Sequence, residues 1–160
     1  MHHFRGLMRK LISSSASAEK LKKEQYLKNG SAVLEEFIAL CDGKCQIPLR
    51  YSSAIEIERA TKHSQNTTEI FNSHIVMASL DKRLVLMRFV SPNYFENLNN
   101  ICRYIAITSQ MSHLKSVLKL VGCCLELPEP VLVYEYVDAI SLRDLLFKKC
   151  NAKKISFLGT

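Results

Sequence analysis

Glycine is scarce in this chain, and where it is missing matters more than how much there is. Five occur, Gly6, Gly30, Gly43, Gly122 and Gly159, and none lies between residues 44 and 121. That span holds no bare-backbone loop of the kind that lets phosphates approach main-chain N–H groups. No apolar run approaches the roughly 20 residues of a membrane span, and no signal-peptide core follows the basic start. Position 2 is His rather than Gly, so no myristoylation signal is present. The six cysteines (Cys41, Cys45, Cys102, Cys123, Cys124 and Cys150) lack the paired C-x-x-C spacing of a zinc site. They read as free thiols of a reducing compartment, with no metal expected. Cys123 and Cys124 are neighbours on an expected strand and should point to opposite faces.

What is present suits one globular domain: 160 residues, 48% of them hydrophobic. The formal charge is +7, but it is uneven. Residues 1–28 hold Arg5, Arg9, Lys10, Lys20, Lys22, Lys23 and Lys28 against Glu19 and Glu24, which is +5 of the +7. The rest is nearly balanced and has little electrostatic reason to bind nucleic acid. The basic tail carries no interleaved stacking aromatics, which also disfavours a nucleic-acid binder. Residues 1–28 therefore read as a basic flexible tail, either simply solvated or drawn to an anionic membrane surface.

Taken in order, Met1 to Ser17 reads as disordered, with a serine-rich run and little to bury. Lys20 to Lys28 is a short charged helix, broken by Asn29-Gly30-Ser31. Ser31 then caps a second helix, Ala32 to Asp42, stopped by Gly43. Val33, Phe37 and Leu40 lie on the apolar face of that helix, which must pack either on the domain or on a partner. Ser53 and Glu56 form a capping box for a helix ending at Ala60-Thr61. Thr67 to Leu80 supplies two strands, Asp81-Lys82-Arg83 a polar turn, and Leu84 to Phe89 a third strand. Ser91-Pro92 opens a helix whose face is Leu98, Ile101, Ile105, Thr108 and Met111. The apolar run around Val117 to Val121 and the run Val131 to Val137 flank a turn, Leu127-Pro128-Glu129-Pro130, and make a hairpin. Ser141 caps a last helix, Leu142 to Phe147.

Three blocks between 110 and 137 carry a family resemblance. Ser109-Gln110-Met111-Ser112-His113, then Leu120-Val121-Gly122-Cys123-Cys124-Leu125-Glu126, then Leu132-Val133-Tyr134-Glu135-Tyr136 resemble the end of helix C, strands 4 and 5, and the hinge of plant receptor-like kinases. The resemblance puts Tyr134 at the gatekeeper position and Glu135, Tyr136 and Val137 in the hinge. Leu27-Lys28-Asn29-Gly30-Ser31 with Leu34-Glu35-Glu36, and the Ser-capped helix ending in Ala-Thr, are similar to the segments ahead of strand 1 in wall-associated-kinase-type and related receptor-like cytoplasmic kinases.

Phosphoryl transfer rests on positioning and charge neutralisation, and each required part is checkable here. The glycine-rich loop G-x-G-x-x-G-x-V is missing, so the first hairpin turn must come from a stretch such as Asn72-Ser73-His74 or its neighbours, whose side chains would obstruct phosphates. The strand 3 lysine of V-A-I-K falls on Arg88 in Val85-Leu86-Met87-Arg88. Arg is longer, planar and forked, so the exchange is not conservative. Two readings stand for it, an exposed strand-end Arg or a residual nucleotide contact. The helix C glutamate falls on Tyr104, which carries no charge at neutral pH and reads as a packing residue. Glu96, the only acid from 89 to 125, lies about two turns too early to substitute. His113 reads as structural. The chain ends before the catalytic loop H-R-D-x-x-x-x-N and the D-F-G metal site are reached, so the carboxy-terminal lobe is expected to be absent.

The expected fold is α+β: a kinase-like amino-terminal lobe with about five antiparallel strands and helix C. The expected organisation is a basic tail over 1–28, the lobe with a helical extension over 29–147, and a carboxy-terminal tail over 148–160. No catalytic residue, cofactor or metal is expected. The resemblance narrows to plant receptor-like cytoplasmic pseudokinases that serve as adaptors for leucine-rich-repeat immune receptors. It implies a non-catalytic interaction module in the cytoplasm, with such a receptor or active receptor-like kinases as partners. The expected contact surfaces are Val33, Phe37 and Leu40 and the exposed sheet edge. The alternative is a truncated form of an active, ATP-binding receptor-like serine/threonine kinase.

Overall fold

The computed structural model describes residues 15–41, 49–62, 64, 67–70, 73–90, 98–138 and 146. In chain order the elements are α1 (Ala16–Cys41), β1 (Arg50–Tyr51), α2 (Ala54–Thr61), β2 (Thr67–Ile70), β3 (Ser73–Leu80), β4 (Arg83–Val90), α3 (Leu98–Met111), β5 (Leu120–Cys124) and β6 (Val131–Glu135). The strands form one sheet in the order β1-β5-β6-β4-β3-β2. The five strands β2 to β6 pair antiparallel, as expected, and the two-residue β1 adds a parallel edge beside β5. Gly122 permits that addition. A Cβ there would lie 2.5 Å from the Arg50 carbonyl oxygen, so any larger residue would push β1 away.

Strand alternation sorts side chains between two apolar clusters. Val76, Ala78, Val85, Met87, Phe89, Cys124, Val131 and Val133 face one way, against Ala54 and Ile57 of α2. Leu120, Cys123, Leu132 and Tyr134 face the other way, against Ile101, Cys102, Ile105 and Ala106 of α3. Cys123 and Cys124 thus do point to opposite faces. Both are buried free thiols, as is Cys102. Burial pushes their pKa values up from 9.0, to about 12 for Cys123 and Cys124 and about 11 for Cys102.

The amino-terminal helix corrects two expectations. Ala16 and Ser17 are helical rather than disordered, and the Ser15 side chain accepts the Ala18 N–H at 3.3 Å. The break at Asn29-Gly30-Ser31 does not occur: α1 runs unbroken for 26 residues, and position 28 lies inside it. The reason is tertiary. A mid-helix glycine costs about 1 kcal/mol relative to alanine, but Asn29 is fully buried and fully used. Its Nδ2 donates to the carbonyls of Leu125 and Leu127, both at 2.8 Å, and its Oδ1 accepts from Gln25 Nε2 at 3.0 Å. Breaking the helix there would strand those carbonyls under α1. Tyr26 adds an edge-on ring contact to Tyr51 of β1, with centroids 6.4 Å apart.

The β5–β6 turn also holds α2. Glu126 Oε2 accepts the Ala54 N–H at 2.8 Å. The expected capping box is present: Ser53 Oγ accepts the Glu56 N–H and Glu56 Oε2 accepts the Ser53 N–H. The Ser53 backbone bond, ahead of its hydroxyl and Arg50, holds the Glu56 carboxyl below its ordinary pKa. The β2–β3 connection falls beside that stretch: Ile70 pairs with Ser73, so Ser73 and His74 belong to β3 and residues 71–72 lie between the strands. The Ser91-Pro92 start of the helix C segment, residues 1–14 and 148–160, and the Leu142–Phe147 helix apart from a helical Leu146 fall outside the described residues.

Candidate functional site

The sheet face toward α3 carries the positions where a kinase grips nucleotide. On β4, alternation sends Val85, Met87 and Phe89 toward α2 and leaves Leu86 and Arg88 toward α3. On β6 the same alternation delivers Tyr134, and α3 presents Tyr104 from its middle turn. The three meet. The Arg88 guanidinium carbon stands 5.8 Å from the centre of the Tyr104 ring, a cation–π distance. The Tyr134 hydroxyl donates to the Tyr104 hydroxyl at 3.1 Å. Burial and then the bond to Tyr104 hold the Tyr134 phenol well above its ordinary pKa, while Arg88 pulls weakly the other way. Tyr134 therefore stays a neutral donor.

Arg88 is half-buried rather than an exposed strand-end residue. Together the substitutions at the lysine and glutamate positions are complementary. An ion pair joins strand and helix in a working kinase; here a cation stacks on an aromatic ring across the same gap. Taken singly, each substitution reads as a loss. The signal that they belong together is the shared register, with Arg88 and Tyr104 facing one another only when the fourth strand and the helix are docked.

This cluster helps to line a cavity of about 450 Å³, whose other walls include Ile75, Leu86, Ile107, Met111 and Val117. No carboxylate among the described residues lines it. Among the described residues no group of His, Cys, Asp and Glu is placed to hold a metal ion. The described walls are thus mainly apolar, with the Arg88 guanidinium and two tyrosine hydroxyls among them. The hinge residue Glu135 is engaged with the strand ahead of it: its N–H donates to the Lys119 carbonyl at 3.0 Å and its Oε1 accepts the Lys119 N–H at 3.1 Å. Tyr136 and Val137 are exposed. His113, also exposed, lies with Nδ1 2.6 Å from the Gln110 carbonyl, just beyond the end of α3.

The residues expected to meet a partner divide differently. Val33 and Phe37 are 1% and 8% exposed, packed with Ile101, Cys102 and Ile105 of α3. They are core, and only Leu40 of that trio is exposed. Leu21, Tyr26, Leu27, Leu34 and Ile38 of α1 are also exposed, and helical spacing puts Leu27, Leu34 and Ile38 together away from Val33 and Phe37.

No protein-family model matches the chain. The proteins it is similar to include three of Arabidopsis thaliana: the non-functional pseudokinase ZRK6, 39% identical over 131 residues; the serine/threonine-protein kinase ZRK4, 38% over 135; and the non-functional pseudokinase ZED1, 36% over 122. These matches cover 79%, 82% and 74% of this chain and 34%, 37% and 36% of the relatives. The chain therefore spans about a third of the length of the curated relatives it matches. Among the described residues no helix is long and apolar enough to cross a membrane. Sheet order, helix placement and these relatives agree: the chain is a protein kinase-like amino-terminal lobe of the kind found in receptor-like kinases and ZRK/ZED1 pseudokinases.

Proposed function

We propose that this lobe works without catalysis, as a pseudokinase module that binds other proteins. The observation that carries the proposal is the Arg88–Tyr104–Tyr134 cluster. It occupies the place of the ion pair that would orient nucleotide phosphates, and it joins sheet to helix without needing a ligand. The missing glycines between 44 and 121 support the same reading from the other side of the cleft. So do relatives named as non-functional pseudokinases. As a pseudokinase adaptor in the cytoplasm, its partner class is a leucine-rich-repeat immune receptor or an active receptor-like kinase. The basic amino-terminal segment would at most add peripheral membrane attraction.

A second reading, an ATP-binding kinase lobe, is favoured by one observation: ZRK4, at 38% identity, is named a serine/threonine-protein kinase. Calorimetric titration with Mg-ATP separates the two. The pseudokinase reading expects no heat of binding and no rise in melting temperature at millimolar nucleotide, because a ligand stabilises only what binds it. Micromolar binding would establish the second reading. The adaptor role is tested by co-precipitating the chain with a leucine-rich-repeat receptor domain. Recovery that survives Arg88→Ala would separate docking from the cleft, and failure to recover any such domain would sink the adaptor role while leaving the absence of ATP binding intact.

A further inference from the structure

Among the described residues nothing covers the outer face of α1. Leu27, Leu34 and Ile38 are 59%, 59% and 55% exposed, although each would be buried in an ordinary helix packing. Their positions are not scattered. Residues 27, 31, 34 and 38 are spaced by four, three and four, the alternation of a coiled-coil seam. Ser31 is the small residue in that seam, and Gly30 lies beside it. A Cβ added at Gly30 would meet nothing within 4 Å, so this flank is open to another helix. Small residues there let two backbones approach closely.

Charge identifies the occupant. Lys28 and Glu35 are one heptad apart on the same flank of the seam. Neither makes an ion pair with a described residue, whereas Lys20 pairs with Glu24 and Lys22 with Glu19 within the helix. More broadly, residues 16–28 carry Lys20, Lys22, Lys23 and Lys28 against Glu19 and Glu24, while residues 29–41 carry only Glu35 and Glu36. A second α1 laid antiparallel matches the basic half to the acidic half. With the two-fold axis midway between Ser31 and Leu34, Leu27 meets Ile38 of the other copy, Ser31 meets its Leu34, and Lys28 meets its Glu35 twice over. A parallel pairing would instead set like charges side by side.

We propose that α1 is a self-association surface, on which two copies of this chain pair through an antiparallel seam of Leu27, Ser31, Leu34 and Ile38 flanked by Lys28–Glu35 pairs. The seam extends about 16 Å from Leu27 to Ile38. It is smaller than a standard interface of about 1,600 Å², so the dimer is governed by concentration. Such pairing would bring two lobes together with their clefts on the far side of each α3.

Sedimentation equilibrium of the whole chain, in reducing buffer from about 1 to about 200 µM, tests the seam. The expected result is a mass rising from one chain toward two for the wild type, and one chain throughout for Leu34→Asp. Because Leu34 is exposed, the variant should keep the wild-type circular dichroism and melting temperature at low concentration. Lys28→Glu should weaken the dimer at least about tenfold by opposing the Glu35 of the second copy, and Lys28→Glu with Glu35→Lys should restore it. A wild type that stays monomeric across the range overturns the proposal. So does a dimer that survives Leu34→Asp, or a double exchange that fails to rescue a broken single one.

Discussion

Met87 and Arg88 are neighbours on β4, yet they meet opposite surroundings. Met87 is fully buried among aliphatic side chains beneath α2. Arg88 reaches the other way, toward Tyr104, Tyr134 and a cavity. The α2 side is packed with apolar groups around Met87, its helix capped by Ser53 and Glu56 and pinned by Glu126. A second cavity, of about 410 Å³, is lined by Leu80, Val85 and Val133 of this side with Arg50, Asp81 and Arg83. The α3 side is half polar and partly open. Around Met87 the α2 side holds the lobe together by apolar packing. The other has the shape of a ligand site, but the chain has no glycine between residues 44 and 121 to let a phosphate approach the backbone.

Truncating each neighbour breaks the comparison most sharply. Met87→Ala should cost about 3 kcal/mol of stability, from lost burial plus the hole left behind. Arg88→Ala should cost no more than about 1 kcal/mol, the scale of a partly exposed cation–π contact. Urea unfolding of both variants measures the ratio. Equal losses would mean that Arg88 is a structural pillar and that the α3 side contributes as much to stability as the other.

Alkali is expected to affect both sides at once. Cys124 sits on the α2 side, Cys123 and Cys102 on the α3 side, and burial raises all three pKa values above the ordinary 9.0. The unfolded chain releases these protons first, so the native state binds more of them above pH 9 and stability falls as pH rises. The loss continues until the folded values near 11 to 12 are passed. At pH 11 it should be on the order of 2 kcal/mol for each of Cys123 and Cys124. Melting temperatures from pH 8 to 11 should fall accordingly, with Cys124→Ala and Cys123→Ala each flattening the slope. A flat profile in the wild type would show that solvent reaches these thiols.

A smaller effect isolates the polar cluster. Tyr134→Phe removes the donor to Tyr104 and should cost about 1 kcal/mol. Tyr104→Phe should cost about the same, and the double variant clearly less than the sum, because both remove one interaction. Additive losses would mean the two hydroxyls act through separate partners.

The helices and strands that close the α2 side were legible in the sequence for local reasons. The capping box at Ser53 and Glu56, the alternation through Cys123-Cys124 and the apolar runs of β5 and β6 each state their own geometry within a few residues. Arg88 and Tyr104 were legible as substitutions but not as a pair, since their contact depends on docking elements that are separate in the chain. Asn29-Gly30-Ser31 misled for the same reason. Its local chemistry says helix end, and only carbonyls at Leu125 and Leu127 hold it helical. Val33 and Phe37 show the converse: a helix face states that it will be buried, not against what.

The smallest effect belongs to neither side of the sheet but to the turn at its rim. Leu80 pairs with Arg83, so Asp81 and Lys82 form a two-residue connection, with φ of 50° and 64°. Both lie in the left-handed region, the geometry of the tight hairpin turns that favour Asn or Asp followed by Gly. Asp81 suits its place and also accepts an ion pair from Arg50. Lys82 does not suit its own, because its Cβ crowds the following carbonyl. Lys82→Gly should therefore raise stability by about 0.5 kcal/mol, the steric gain exceeding the added freedom of the unfolded chain. Lys82→Asn should raise it less. The midpoint of urea unfolding reads the change directly. A drop for Lys82→Gly would mean that the lysine side chain contributes a contact worth more than the strain it carries, and that the rim is held by more than the Arg50–Asp81 pair.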